Sequence, residues 1–246
     1  MLYKTLLLVH ICSMTAGLLA GYMAMVLRKG SGLHAAAGNV FSVSMLTTAT
    51  SAVYIAAFLH PIRVNVIAGL LLFYLVATGW RAAKQRAGTS GTFDTIALLF
   101  IAATGLLGVV SAVQAKLDPT GMKDKVPAFG YMVFTAIALL FAVADIRNLL
   151  RGGATGAMRV GRHLWRMGLA LLFTTFSLYP GQGKLFSKAM RDTNLLYVPH
   201  LVLAGAIVFW LVRIGRRKRA QRVRVAPPSV RTTAVAGSGA PVAAAR

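Results

Sequence analysis

The chain has 246 residues, of which 57% are hydrophobic and only 13% are charged, yet its formal net charge is +22. Soluble globular domains carry about 25% charged residues, so the composition excludes that class of protein. Most of the basic residues lie between apolar runs or near the C-terminus, as the positive-inside rule of membrane proteins describes. That distribution argues against nucleic-acid binding. The single cysteine, Cys12, excludes an intrachain disulfide and a cysteine-based metal site.

Apolar runs of about twenty residues recur along the chain, and each is long enough to cross a hydrocarbon core of about 30 Å as a helix. Backbone groups in lipid need internal partners, and continuous apolar runs satisfy them as helices. The sequence therefore predicts an all-α integral membrane protein, a bundle of about seven transmembrane helices within residues 1–215. The predicted spans are Leu2–Leu27, Gly38–Leu59, Asn65–Ala82, Phe93–Ala115, Pro127–Ile146, His163–Tyr179 and Leu195–Ile214.

Basic residues are distributed unequally at the two ends of the first span, because only Lys4 lies at its start whereas Arg28 and Lys29 follow its end. With seven spans, the basic run that follows the last one lies on the same side as Arg28. The positive-inside rule then predicts that the N-terminus lies outside and the C-terminus in the cytoplasm.

Residues 216–246 are basic and low in complexity, which predicts a disordered cytoplasmic tail. Anionic lipids would attract its first basic side chains, which are Arg216, Arg217, Lys218 and Arg219.

Small residues are expected to hold the bundle together, because helix association in lipid depends on close packing and interhelical hydrogen bonds. They recur at steps of four in the first and fourth spans, as Ser13, Gly17 and Gly21 and as Thr104, Gly108 and Ala112. The second span carries hydroxyls on one face, at Ser44, Thr47, Thr48 and Ser51. These hydroxyls would either bond to helix carbonyls or line a polar pathway.

Three histidines lie towards the outer side of the predicted bundle, and ionisable residues within a membrane suggest a functional site. His10 and His200 lie at similar depth on the first and seventh spans, and His60 ends the second. Two imidazoles on different helices would suit a b-type haem, and all three would suit copper or zinc. Alternatively, each histidine is a proton-handling group or bonds to a neighbouring helix.

A second pair, His34 and His163, lies at the opposite side of the predicted bundle. The same cofactor hypothesis extends to this pair. His163 and Arg166 are three residues apart, hence on one helix face, and with Arg162 they could bind a phosphate or a lipid headgroup. The simpler interpretation is that these residues anchor helix ends at the interface.

Two aspartates lie inside or beside predicted spans. Asp145 is near the end of the fifth span, and we expect a charge partner for it on another helix, with Arg166 and Arg81 as candidates. Asp94 follows TSGT and is expected to cap the start of a helix. The sequence has no nucleophile motif, phosphate-binding glycine loop or zinc protease signature.

The stretch LVHICSMTAGLLAGYMA, followed by RKGSGLHAAAGNVFSVSML, resembles a family of uncharacterised bacterial membrane proteins known as a domain of unknown function. Segments FYLVATGWRAA and HLWRMGLALLFTTFSLYPGQ are similar to later parts of such proteins. One departure is Ala35, where these proteins usually carry a basic residue. The resemblance implies a polytopic protein of a bacterial inner membrane and no established activity. Its matching residues are His10, Gly17, Gly21, Arg28, Lys29, Gly30, His34, Gly38 and Met45.

Three classes of function remain open from the sequence. A cofactor-binding protein would use His10 with His200, and His34 with His163. A transporter of a small solute, with or without proton coupling, would use the hydroxyl face of the second span and Asp145. An accessory or structural subunit would depend on its small-residue ridges to bind partners.

Overall fold

A computed structural model describes residues 1–179 and 182–225 of the chain, with side chains through residue 216. Within those residues the chain is a bundle of long helices with one short β-hairpin. The helices are α1 (Leu2–Val26), α2 (Gly32–Tyr54, continued by a π-helical turn at Ile55–Leu59), α3 (Arg63–Lys84), α4 (Thr92–Leu117), α5 (Ala128–Leu150), α6 (Gly156–Leu178), a short α7 (Lys188–Asp192) and α8 (Val198–Val225); the hairpin pairs β1 (Met122–Lys123) with β2 (Val126–Pro127).

The predicted helical bundle is confirmed, and all seven predicted spans coincide with long helices. Six of these are long and apolar enough to cross a membrane, so the chain has the features of a multi-pass membrane protein. The remaining long helix of the described residues is α6, which carries Arg159, His163, Arg162 and Arg166 within its first three turns. These polar residues lower its hydropathy, although the helix packs inside the bundle.

Two helices, α3 and α6, form the centre of the bundle. α3 packs against α2, α4 and α6, and α6 also packs against α8 and α1. α1 and α2 form one tight pair and α4 and α5 form another. We call the end of the bundle where α1, α3, α5 and α8 finish the C-terminal face, and the opposite end the N-terminal face.

The predicted small-residue contacts are found at helix crossings. A Cβ added at Gly17 would lie 2.3 Å from the Met45 methyl carbon of α2, and one at Gly108 would lie 2.2 Å from Thr135 Oγ1 of α5. A Cβ at Gly21 would meet Phe41 of α2 at 2.8 Å. These glycines therefore let the paired helices approach closely.

The hydroxyls on one face of α2 bond to carbonyls of their own helix and to α1. Thr47, Thr48 and Ser51 donate to carbonyl oxygens of their own helix, which satisfies hydroxyls in an apolar medium. Thr48 Oγ1 also lies 2.8 Å from Ser13 Oγ of α1. The simpler of the two sequence interpretations is therefore the one that the structure supports.

The helices α2, α6 and α8 extend furthest beyond their predicted limits, and α6 begins at Gly156 and not at His163. α2 begins at Gly32 because Ser31 Oγ accepts a bond from the His34 backbone N–H and caps the helix. α8 continues to Val225, so residues 216–225 of the segment predicted as disordered are helical. The rest of that predicted tail, residues 226–246, lies outside the described residues.

Candidate functional site: a buried charge network near the C-terminal face

The centre of the site is Asp145, which is fully buried on the last turns of α5. Tyr74 of α3 donates its hydroxyl to Asp145 Oδ2 at 2.5 Å. Arg166 of α6 donates through Nη2 to Asp145 Oδ1, and the same nitrogen lies 3.0 Å from the Tyr74 oxygen. Three helices thus bring one acid, one base and one phenol into direct contact away from solvent.

Arg162, one turn before Arg166 on α6, connects this centre to a second acid. Its Nη2 lies 2.9 Å from Asp145 Oδ1 and its Nη1 lies 3.2 Å from Asp94 Oδ1. Asp94, near the start of α4, also accepts bonds from Gln85 Nε2 and the Gly91 backbone N–H. We call Tyr74, Gln85, Asp94, Asp145, Arg162 and Arg166 the charge network.

The loops at this end of the bundle fix the outer part of the charge network. Gly153 adopts a φ of +112°, and a Cβ there would lie 2.3 Å from the Thr89 carbonyl oxygen. The Gly88 backbone N–H donates to the Ala154 carbonyl at 3.1 Å. The loop between α3 and α4 therefore packs directly on the loop between α5 and α6.

The charges of the charge network cancel, whereas some of its N–H donors have no acceptor. Its two aspartates offset its two arginines, and both carboxylates accept bonds from more than one donor. Among the described residues, the buried nitrogens with no hydrogen-bond partner include Arg162 Nε, Arg166 Nε and Nη1, and Asn148 Nδ2. Buried polar groups are nearly always satisfied, so this surplus of N–H donors calls for a functional explanation.

The charge network also connects the two halves of the bundle. α4 and α5 pack mainly on each other and on α3, and α5 also contacts α6 through the ring pairs Phe134–Phe173 and Phe141–Trp165. Asp94 and Asp145 belong to α4 and α5, whereas their arginine partners belong to α6. The ion pairs thus hold the α4–α5 hairpin to the central helix α6.

The three outer histidines have separate environments. His10 Nδ1 lies 3.1 Å from the Thr48 carbonyl oxygen and 3.2 Å from Ser51 Oγ, both on α2. His60 packs against Tyr3 with ring centroids 4.5 Å apart. His200 is surrounded by the rings of Phe176, Tyr179 and Tyr197.

These contacts do not combine the outer histidines into one site. Within residues 1–179 and 182–225, no group of three or more His, Cys, Asp or Glu side chains is placed to hold a metal ion. The structure therefore does not assemble the metal site expected from His10, His60 and His200. The sequence places His10 and His200 at similar depth on two helices, but those helices have different neighbours. α1 pairs with α2, and α8 packs on α6.

The inner histidines share one hydrogen-bonding arrangement. His34 Nδ1 lies 3.0 Å from the Ala24 carbonyl of α1, and His163 Nδ1 lies 2.9 Å from the Gly79 carbonyl of α3. Because a carbonyl only accepts, Nδ1 carries a hydrogen in each ring, and in the neutral imidazole Nε2 then holds the lone pair.

Lys29 completes the surroundings of His34. Its Nζ donates to the carbonyls of Ala24 and Met25 at 2.8 and 2.6 Å and closes the end of α1. Burial lowers the pKa of this ammonium group.

Part of the charge network is predicted from the sequence. The predicted partnership of Asp145 with Arg166 is confirmed, whereas the alternative partner, Arg81, lies over the Phe93 ring. The predicted helix-start cap at Asp94 is confirmed, with its carboxylate bonded to the Gly91 N–H. Arg162 was grouped with His163 and Arg166 as a phosphate or headgroup site, and in the structure it bonds to aspartates.

Two members of the charge network were missed, Tyr74 and Gln85. Both lie on or at the end of an apolar helix, and only the position of a phenol and an amide on its buried face could have indicated them.

Comparison of the chain with known proteins adds no family to this description, since no protein-family model, curated protein or solved structure matches it.

Proposed function

We propose that the protein is a proton-coupled membrane transporter of a small solute, with the charge network as its coupling element. The observation that carries the proposal is the burial of Asp145 against Arg162, Arg166 and Tyr74 inside an apolar bundle. Charged side chains within a membrane are costly and commonly mark ion or proton pathways.

Protonation of Asp145 would change the connections between helices. A neutral carboxyl group binds a guanidinium far less strongly than a carboxylate does, so one proton weakens the contacts to Arg162 and Arg166 together. Those contacts hold α5 to α6. The α4–α5 hairpin then has two states, attached and released, and the proton determines which is favoured.

Solute-driven proton movement tests the proposal. Purified protein is reconstituted in phospholipid vesicles containing a trapped pH indicator dye, with valinomycin and potassium to hold the membrane potential at zero. A panel of sugars, amino acids, carboxylates and phosphate is then added outside. We expect at least one solute to change the internal pH with the wild type.

Asp145→Asn is expected to abolish that signal, because the amide cannot carry the proton. The matched control is Asp118→Asn, which changes an exposed carboxylate that bonds only to Thr120 nearby. Equal signals from Asp145→Asn and the wild type, with both proteins monodisperse, would contradict the proposal.

Cofactor binding is a second candidate function, and the inner histidines favour it. Metal-ligating histidines almost always donate their other ring N–H to a carbonyl, carboxylate or water, and both His34 and His163 do so with Nε2 uncommitted. Two such imidazoles on α2 and α6 are the axial ligands that a b-type haem requires. The same second-shell bond is present at His10, whereas both nitrogens of His200 lack a partner within the described residues.

Absorption spectra test this candidate. Detergent-purified protein, expressed with ample haem supply, would show a Soret band and, after dithionite, sharp α and β bands. Those bands would disappear in His163→Ala and persist in His60→Ala. A colourless wild-type protein would exclude bound haem.

The membrane setting belongs to the same proposal. We place the chain in a bacterial inner membrane with the C-terminal face in the cytoplasm. The basic end of α8, from Arg216 through Arg217, Lys218 and Arg219, would then bind anionic lipids. Arg216 is the last of these with a described side chain, and the helical backbone continues past all four.

A further inference from the structure

The arginines of the charge network have more N–H donors than the protein uses. Arg166 is 1% exposed, and its Nε and Nη1 have no partner among the described residues; the same holds for Arg162 Nε. Asn148, one turn after Asp145 on α5, adds an amide nitrogen in the same condition. Every one of these groups donates and none of them accepts, so water or an anion would satisfy them, whereas a cation would not.

From this donor surplus we propose that the charge network binds a small oxyanion, a carboxylate or a phosphate, through Arg162 and Arg166. The inference rests on the transport function proposed above and names the chemical class of its solute. The unpaired N–H groups of a guanidinium donate charge-assisted hydrogen bonds to carboxylate and phosphate oxygens. Two of them four residues apart on α6 present their donors on one side of the helix.

The aromatic residues beside Arg166 keep its guanidinium in position. The Tyr74 ring centroid lies 5.1 Å from Arg166 Cζ and the Trp165 centroid lies 5.2 Å from it. Both rings lie within the distance at which an aromatic ring attracts a cation. Arg166 is therefore already oriented before an anion arrives, which lowers the entropic cost of binding.

Charge balance links the anion to the proton. With both aspartates ionised, the two arginines are already offset and an added anion would leave a buried net charge of −1. When Asp145 takes up a proton, the remaining charges sum to +1, and one monovalent anion restores neutrality. A buried site of low dielectric disfavours net charge strongly. The proton and the anion are therefore expected to bind together, one for one.

Calorimetry with methanesulfonate tests the inference, because this oxyanion keeps the same charge across the pH range used. Titration of detergent-purified protein is expected to show binding that is at least tenfold tighter at pH 5.5 than at pH 8. The uncharged dimethyl sulfone, of nearly the same shape, should not bind. Succinate and phosphate are then compared as members of the two solute classes.

Variants separate the charge network from other basic groups. Arg166→Met should weaken methanesulfonate binding at least tenfold, the loss expected for one hydrogen bond to a charged group. Arg151→Met, which removes an exposed arginine at the end of α5, should leave affinity unchanged. Asp145→Asn, which resembles the protonated acid, should bind at pH 8 at least as tightly as the wild type does at pH 5.5.

Titrations in membranes of two lipid compositions distinguish the two sources of a phosphate oxyanion. The titration is repeated in nanodiscs of phosphatidylcholine alone and in nanodiscs that also contain phosphatidylglycerol. If phosphatidylglycerol blocks methanesulfonate binding, the natural anion is a lipid headgroup; if binding is unchanged, it is a soluble solute.

Three outcomes would overturn the inference: no binding at either pH, binding that is independent of pH in the wild type, or equal affinity in the wild type and Arg166→Met. The last comparison also applies if Asp145→Asn fails to fold. If only neutral solutes or cations drive proton movement, the anion site is contradicted and the transport function stands. If methanesulfonate binds but no solute drives proton movement, the transport function is contradicted and the anion site stands.

Discussion

At the residue scale, the buried ion pair between Arg166 and Asp145 is the contact whose loss we expect to lower stability most. Arg166→Met keeps a long apolar side chain at the position and leaves the charge network with a net charge of −1. Removing one partner of a buried ion pair costs about 3–5 kcal/mol. We expect the free energy of unfolding in mixed detergent and SDS to fall by that amount. Arg151→Met, at an exposed position, should change it by less than about 0.5 kcal/mol.

The double variant Asp145→Asn with Arg166→Met provides the test of mechanism. It removes one charge of each sign and returns the charge network to neutrality. We therefore expect it to be more stable than the sum of the two single losses predicts, because each single variant leaves an unbalanced charge in the bundle. Strict additivity would show that the two residues do not interact in the membrane protein.

The Tyr74 hydroxyl makes a smaller and separable contribution. It donates to Asp145 at 2.5 Å and accepts from Arg166 at 3.0 Å. Tyr74→Phe keeps the ring and removes both bonds, so we expect a loss of about 1.5–3 kcal/mol, the range for hydrogen bonds to charged groups. Tyr54→Phe, at a Tyr that is 41% exposed, is the matched control. An equal loss in both variants would contradict a special role for the Tyr74 hydroxyl.

Some members of the charge network could be predicted from the sequence and others could not. An aspartate inside an apolar span needs a charge partner, and Arg166 is one of three arginines that lie inside the predicted spans, so this pair was accessible. Tyr74 and Gln85 were not, since neither residue is costly to place in a helix of this kind. Their roles depend on which face of α3 meets α6, which no local pattern specifies.

At the element scale, the crossing of α4 and α5 depends on the absence of a side chain at Gly108. An added Cβ would lie 2.2 Å from Thr135 Oγ1 and 3.3 Å from Thr135 Cβ. Gly108→Ala is therefore expected to destabilise the protein by about 1–3 kcal/mol, the cost of overpacking. The measurement is the midpoint of thermal unfolding in detergent.

The same substitution at Gly38 is the control. Gly38 lies within α2 with nothing within 4 Å of an added Cβ. Gly38→Ala should raise stability by about 0.5–1 kcal/mol, because alanine loses less backbone entropy in a helix than glycine does. A loss of stability at Gly38 similar to that at Gly108 would mean that helix crossing is not the cause.

Helix positions were easier to predict than helix ends. Apolar runs located all seven long helices, because each run must be buried or face lipid whatever its neighbours are. The start of α2 at Gly32 was missed because it depends on a single bond from the His34 N–H to Ser31 Oγ. The start of α6 at Gly156 was missed because its first turns are basic and resemble a loop.

At the scale of the whole molecule, the polar groups are distributed unequally along the bundle axis. The charge network, His34 and His163 lie towards the C-terminal face, whereas His10 and His200 lie nearer the N-terminal face. A proton or an oxyanion entering from the C-terminal face therefore meets Gln85 and Asp94 before Asp145. The orientation of the bundle decides which compartment supplies them.

Cysteine labelling determines that orientation, because Cys12 is the chain's single cysteine. In a Cys12→Ala background, one new cysteine replaces Thr120, exposed in the loop between α4 and β1, and another replaces Ser90, exposed in the loop between α3 and α4. The basic ends of α3 and α8 lie on the side of Ser90, so the positive-inside rule places that side in the cytoplasm. A membrane-impermeant maleimide should label Thr120→Cys in intact cells and Ser90→Cys only after permeabilisation. The opposite pattern would mean that the C-terminal face, which is the face nearer to the charge network, meets the external medium.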